Sequence, residues 1–142
     1  MEFNINIAAV LVAVAANFIL GFIWYTPLFG KTWGKEMGYD TTVKPDGKVM
    51  AKGMAFMVIG NFLLAWVLAW TLAGWQFIPG AEKISPLMNA MNSSFFLWLG
   101  FYVPVHLGAI VWEKKSWKLF GINAGYHLIS LFVVALILTH WK

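Results

Sequence analysis

The chain has 142 residues, of which 61% are hydrophobic, 18% aromatic and only 11% charged, against about 25% charged for an average globular domain. A water-soluble fold of this length has too little interior to hide that much apolar surface. The net charge of +4 comes from lysine without arginine, and cysteine is absent, which excludes disulfides, thiolate catalysis and cysteine-ligated zinc or iron–sulfur clusters.

Four apolar runs, about residues 5–29, 54–75, 86–112 and 119–139, each reach the roughly 20 residues a helix needs to cross about 30 Å of hydrocarbon. The expectation is an all-α integral membrane four-helix bundle, one transmembrane domain over 1–142. The first run is no cleavable signal peptide: Met1, Glu2, Phe3 and Asn4 carry no basic residue, and the run is too long for an h-region. Within it Ala9, Ala13, Ala16, Asn17 and Gly21 form a small-residue line that admits another helix closely. Asn17 must face protein, because an amide in hydrocarbon otherwise goes unpaired. Trp24 and Tyr25 read as an interfacial pair, and Pro27 ends the helix.

The connector that follows is lysine-rich, with a short interfacial helix about Trp33 to Met37 and a turn at Lys44, Pro45, Asp46 and Gly47 in which the glycine takes a positive φ. It holds no phosphate-binding glycine motif. In the second span Gly60 precedes Asn61, which with Ala65 and Ala69 repeats the small-residue spacing. After a short loop with Pro79 and Gly80, Ser85 and Pro86 read as N-cap and first helical residue of the third span.

The third span is the most informative. Trp98, Tyr102, His106, Ala109 and Glu113 recur at helical spacing and share one inward face, with Pro104 freeing a carbonyl one turn earlier. In the fourth span Gly121 and Gly125 have GxxxG spacing, and Asn123, His127 and Ser130 follow a neighbouring stripe. Helical rise puts His106 and His127 at similar depth, roughly 10–14 Å above the turn that joins the two spans. Helices joined by so short a turn are neighbours. The expected site is therefore a polar layer of Asn17, Asn61, Tyr102, His106, Asn123 and His127, with Tyr25 and Glu113 at its rim. Gly21, Gly60, Gly121 and Gly125 are the expected helix-packing positions. His140, beside Trp141, reads as an interfacial residue outside the layer.

The lysines divide unequally. Lys31, Lys35, Lys44, Lys48 and Lys52 fall between spans one and two, Lys114, Lys115 and Lys118 between spans three and four, and only Lys83 and Lys142 on the other side. By the positive-inside rule loops 30–53 and 113–118 are cytoplasmic and both termini lie on the outer, periplasmic side. The basic residues thus read as topology and nearness to anionic lipid, with no nucleic-acid partner.

Asn17 to Gly21 leading to Trp24, Tyr25 and Pro27, then Phe29, Gly30, Lys31 and Trp33, then Trp112, Glu113 and Ser116, then Ile122, Asn123, Gly125 and Tyr126, together resemble a bacterial family of small four-span membrane proteins known only as a domain of unknown function. The resemblance covers nearly the whole length. It implies this architecture and a place in the bacterial cytoplasmic membrane, and implies no activity.

Three readings of the layer follow. In the first it holds a structural or accessory subunit together, the chain working as a homo-oligomer or within a larger membrane assembly in the lipid bilayer. The alternative is small-ligand binding, or proton or ion transport through an oligomer, since ionisable residues inside a membrane are by default candidates for such roles. The minor alternative is haem or a chlorophyll-type pigment held by His106 and His127. No metal set is read, because Glu113 is two turns from His106. No catalytic residue is assigned, because Ser94, Ser116 and Ser130 lack a nucleophile-elbow context.

Overall fold

The computed structural model describes residues 3–141. Met1, Glu2 and Lys142, which bear on the expectations about the first span and the charge bias, lie outside the described residues. The elements in order are α1 (Ile7–Leu28), α2 (Gly30–Glu36), α3 (Gly47–Trp75), α4 (Pro86–Trp112) and α5 (Trp117–His140). All but α2 are long and apolar enough to cross a membrane. The chain is an all-α, multi-pass membrane protein.

Side chains set the helix starts. Asn6 accepts from the Ala9 N–H at 3.1 Å, Asp46 from Lys48 at 2.7 Å, Ser85 from Met88 at 3.2 Å and Ser116 from Leu119 at 3.1 Å, each satisfying a donor the first turn would leave unpaired. Asp46 explains why α3 begins well ahead of the expected residue 54. Gly47 is its first residue and has no positive φ; the positive-φ glycines are Gly38 and Gly80. The Ser116 hydroxyl also hydrogen-bonds Glu36, which ties α2 to the start of α5.

Two proline-linked turns are wider than α-helical. The Phe29 N–H bonds the Trp24 carbonyl at 2.9 Å, and the Val103 N–H bonds that of Trp98. In each case the bond reaches five residues back. Pro27 and Pro104 have no N–H to give, and each lies in or beside a turn that holds one extra residue.

α5 is the axis of the fold. It packs on α4, α1 and α3, while α3 leans chiefly on α1 and stands apart from α4. The core draws Val10 and Ala13 from α1, Ala65 and Leu68 from α3, Ala90 from α4, and Leu131, Val134 and Ala135 from α5. Alanines dominate the crossings because association in lipid depends on close van der Waals approach rather than on removing apolar surface from water. Ser93 and Ser94 are buried beside Ala90, their hydroxyls turned back to the carbonyls of Asn89 and Ala90 at 2.7 Å, which leaves no open polar group on that face. Phe95, Phe96, Phe101, Val105 and Val111 cover the outside of α4, as a lipid-facing surface requires.

Candidate functional site

The gap between α3 and α4 exposes part of α5, and the polar side chains of all four long helices gather along it. On α5, His127 lies against Tyr102 of α4 at a ring-centroid distance of 4.4 Å and stacks on His106 at 5.2 Å with 20° between planes. The Tyr126 ring approaches His127 edge-on at 5.1 Å and Tyr25 of α1 at 5.0 Å. The Tyr25 hydroxyl donates to Asn123 Oδ1 at 3.0 Å. Deeper along α1 and α3, Asn17 Nδ2 donates to Asn61 Oδ1 at 2.9 Å.

Two tryptophans hold this arrangement in register. Trp24 Nε1 donates to the Ile122 carbonyl at 3.0 Å, and Trp98 Nε1 to that of Ala124 at 2.7 Å. Each indole belongs to the first residue of a widened turn, so α1 and α4 grip α5 two residues apart, directly before the Tyr126–His127 pair. The sequence reading took Trp24 for an interfacial anchor. A Cβ at Gly125 would stand 3.6 Å from the Trp24 ring, an ordinary contact distance.

Gly21 is likewise closely packed: a Cβ there would meet the Tyr126 hydroxyl at 3.0 Å and the Met57 methyl at 3.2 Å. Gly60 and Gly121 differ. Nothing lies within 4 Å of a Cβ at either position, so within this chain they do not serve as helix-packing residues. Glu113 stands apart from the layer as well. Its helix ends at Trp112, its N–H bonds the Ala109 carbonyl at 3.1 Å, the residue is exposed, and Lys114 beyond it has φ 54°.

Two neighbouring cavities occupy the gap. One, of about 560 Å3, is walled by Phe18, Phe22, Tyr25, Trp33, Gly53, Met50, Met54 and Met57, with His106, Asn123 and His127 as its polar side. The other, of about 480 Å3, is lined by Asn17, Gly60, Asn61, Tyr102, Tyr126 and Ser130. Met57 and His127 border both. No Asp, Glu, Lys or Arg lines either cavity.

The polar atoms here are incompletely used. Asn17 Oδ1, Asn61 Nδ2, His106 Nε2, His127 Nδ1 and Ser130 Oγ are buried and have no hydrogen-bond partner within the chain. Either orientation of the two amides leaves one oxygen and one nitrogen spare. Buried polar groups are nearly always paired, and each exception calls for a reason. Met57, Tyr126 and Ser130 join the site without having been singled out for the layer; among them only Ser130, on the His127 stripe, carried a usable signal.

The stacked imidazoles do not fit an axial pair for haem. Lone pairs lie in the ring planes, so two nearly parallel rings direct their nitrogens sideways instead of toward opposite faces of a macrocycle placed between them. No three of His, Asp and Glu among the described residues stand close enough to hold a metal ion.

No curated protein and no solved structure matches the chain. A family model described as "Protein of unknown function (DUF1761)" matches residues 8–139.

Proposed function

The chain belongs to DUF1761, a family of unknown function that spans nearly its whole length, and from that premise we propose that it is a membrane-embedded binding protein. Its site takes one small amphiphilic molecule sideways from the bilayer, through the gap between α3 and α4. The observation that carries this reading is the pairing of unspent polar atoms, His106 Nε2 and His127 Nδ1, with an apolar cavity. A group that only stitched helices together would spend its hydrogen bonds on them, as Asn17 and Asn61 in part do. Cavities of about 560 and 480 Å3 are of the size small-molecule sites have, roughly 300–1,000 Å3.

What weighs against conduction is the block of Leu68, Leu72, Leu131 and Val134, all buried. It separates this site from a further cavity of about 640 Å3 near Gln76, Asn89 and Thr139. A proton or ion crossing that block would have no polar partner. The chain sits in the bacterial cytoplasmic membrane with its lysine-rich loops inside and both termini outside, as the lysine distribution supports. It acts as an oligomer or as a subunit of a larger assembly.

Gly53 supplies the test. It lines the larger cavity, and nothing lies within 4 Å of a Cβ placed on it, so Gly53→Leu adds bulk at the cavity wall without a clash at its Cβ. Lipid extracts of protein purified in nanodiscs are compared by mass spectrometry. The wild type carries an amphiphile in excess of bulk lipid, and Gly53→Leu loses most of it at unchanged thermal stability. Identical extracts from both would refute the proposal.

A further inference from the structure

We infer that the molecule bound is uncharged and that its head both donates and accepts hydrogen bonds, as a hydroxyl does. This rests on the binding reading above and names the ligand class for it.

The first ground is the composition of the walls. Both cavities are bordered by many polar side chains but by none of fixed charge. The loop acids are used elsewhere or exposed, and Lys48 and Lys52, which flank the lining residues Val49 and Gly53, are exposed. Glu36 receives the Ser116 hydroxyl and stands 3.9 Å from Lys118 Nζ, Asp46 caps α3, and Glu113 is exposed. An ion carried into such a site would leave water without gaining a counter-ion, a cost that hydrogen bonds to neutral groups do not offset. A phospholipid, a fatty-acid anion or a quaternary amine is therefore a poor occupant.

The second ground is the kind of capacity left unspent. Asn17 Oδ1 only accepts and Asn61 Nδ2 only donates. Asn17 is 1% exposed, so a ligand head engages it through a small shift of the side chain toward the cavity it lines. A purely accepting head would leave Asn17 unserved, and a purely donating one Asn61; a hydroxyl serves both.

The third ground is the division of labour between the cavities. The smaller one has the Asn17 and Asn61 amides beside Leu63, Leu64 and Val67, while the larger has the thioethers of Met50, Met54 and Met57 with Phe18 and Phe22. Methionine adapts to irregular apolar shapes. The head thus lies past His127 toward Asn17 and Asn61, and the tail along Met54.

The test uses dodecanol, dodecanoate and dodecyltrimethylammonium, which share one tail and differ in head charge. Each is titrated into the full chain in nanodiscs of neutral lipid, its concentration in the bilayer matched through its measured partition, and occupancy is read by native mass spectrometry. Dodecanol binds at least about tenfold more tightly than either ion, as expected when charge burial is uncompensated by even about 1.4 kcal/mol. Gly60→Leu, which adds bulk at a residue lining the smaller cavity where nothing lies within 4 Å of a Cβ, weakens dodecanol binding about tenfold or more. Asn61→Asp keeps an oxygen for Asn17 Nδ2 and places there a carboxyl that ionises when a cation binds beside it; it shifts preference toward dodecyltrimethylammonium. Equal or tighter binding of either ion by the wild type overturns the inference and leaves the binding site standing. Binding of none of the three, together with identical lipid extracts from wild type and Gly53→Leu, removes the site itself.

Discussion

Two glycines with the same sequence credentials should respond in opposite ways to one added methyl group. At Gly21 the new Cβ stands 3.0 Å from the Tyr126 hydroxyl and 3.2 Å from the end of Met57. Met57 can swing aside, but the Tyr126 ring is held between Trp24 and Tyr25 at 6.2 and 5.0 Å and cannot retreat without moving α1 from α5. Overpacking of this kind costs about 1–3 kcal/mol. At Gly60 nothing lies within 4 Å. The usual helix-propensity gain of alanine, about 1 kcal/mol, is largely cancelled there, because backbone in lipid must satisfy its own hydrogen bonds and stays helical when the bundle comes apart. Gly60→Ala is therefore neutral to within about 0.5 kcal/mol. Reversible unfolding in mixed micelles with rising dodecyl sulfate, followed by tryptophan emission, measures both. Equal destabilisation by the two variants would refute this account of which glycines pack.

The Asn17–Asn61 bond should appear as a coupling of about 0.6 kcal/mol in a double-mutant cycle with alanine, and at most about 1.7; additivity would show that the 2.9 Å contact does not hold α1 to α3. Trp98→Phe removes the 2.7 Å bond to the Ala124 carbonyl while keeping an aromatic ring, and should cost about 0.5–1.5 kcal/mol and raise hydrogen exchange at the start of α5; unchanged exchange there counts against the clamp. In the exposed loop, hydrogen bonds from the Thr42 hydroxyl and N–H hold the Asp40 carboxyl below the usual carboxylate range. The folded value is the depressed one, so the turn keeps this support above the ordinary aspartate pKa and loses it only as pH falls through the lowered value. In NMR titrations Thr42→Val should raise the Asp40 midpoint, and no change would exclude the bond. The chain has no cysteine, so single substitutions at Lys48 and Lys83 report orientation directly. An impermeant thiol reagent on whole cells should label Lys83→Cys and spare Lys48→Cys, and the reverse pattern would overturn the proposed insertion.

Much was legible before any coordinates because membrane helices obey a length rule. Four runs of sufficient apolar length give four long helices, and Ser85 with Pro86 marks a helix start by cap chemistry alone. Asn17 and the alanine line of α1 announce a buried face because an amide in hydrocarbon has to find a partner. His106 and His127 come within stacking distance because rise per residue and a short connecting turn leave little freedom in their heights.

Which helix stands at the centre was a different matter. In water a buried face differs in polarity from an exposed one, but in lipid both are apolar, so sequence periodicity does not rank the faces of α3 or α5. Gly121 shares the GxxxG spacing of Gly125, and only packing separates them. Glu113 keeps the helical spacing of His106 on paper, yet the helix ends one residue before it. The grip of Trp24 and Trp98 on α5 depends on two widened turns, and the gap between α3 and α4 depends on α3 leaning toward α1. The linear order of residues determined how many helices there are, how long they run and how deep their polar groups lie, since length and rise are local properties. Their arrangement around α5, and with it the cavity beside His127, was decided only in three dimensions, where a methyl group or an indole settles which surfaces approach.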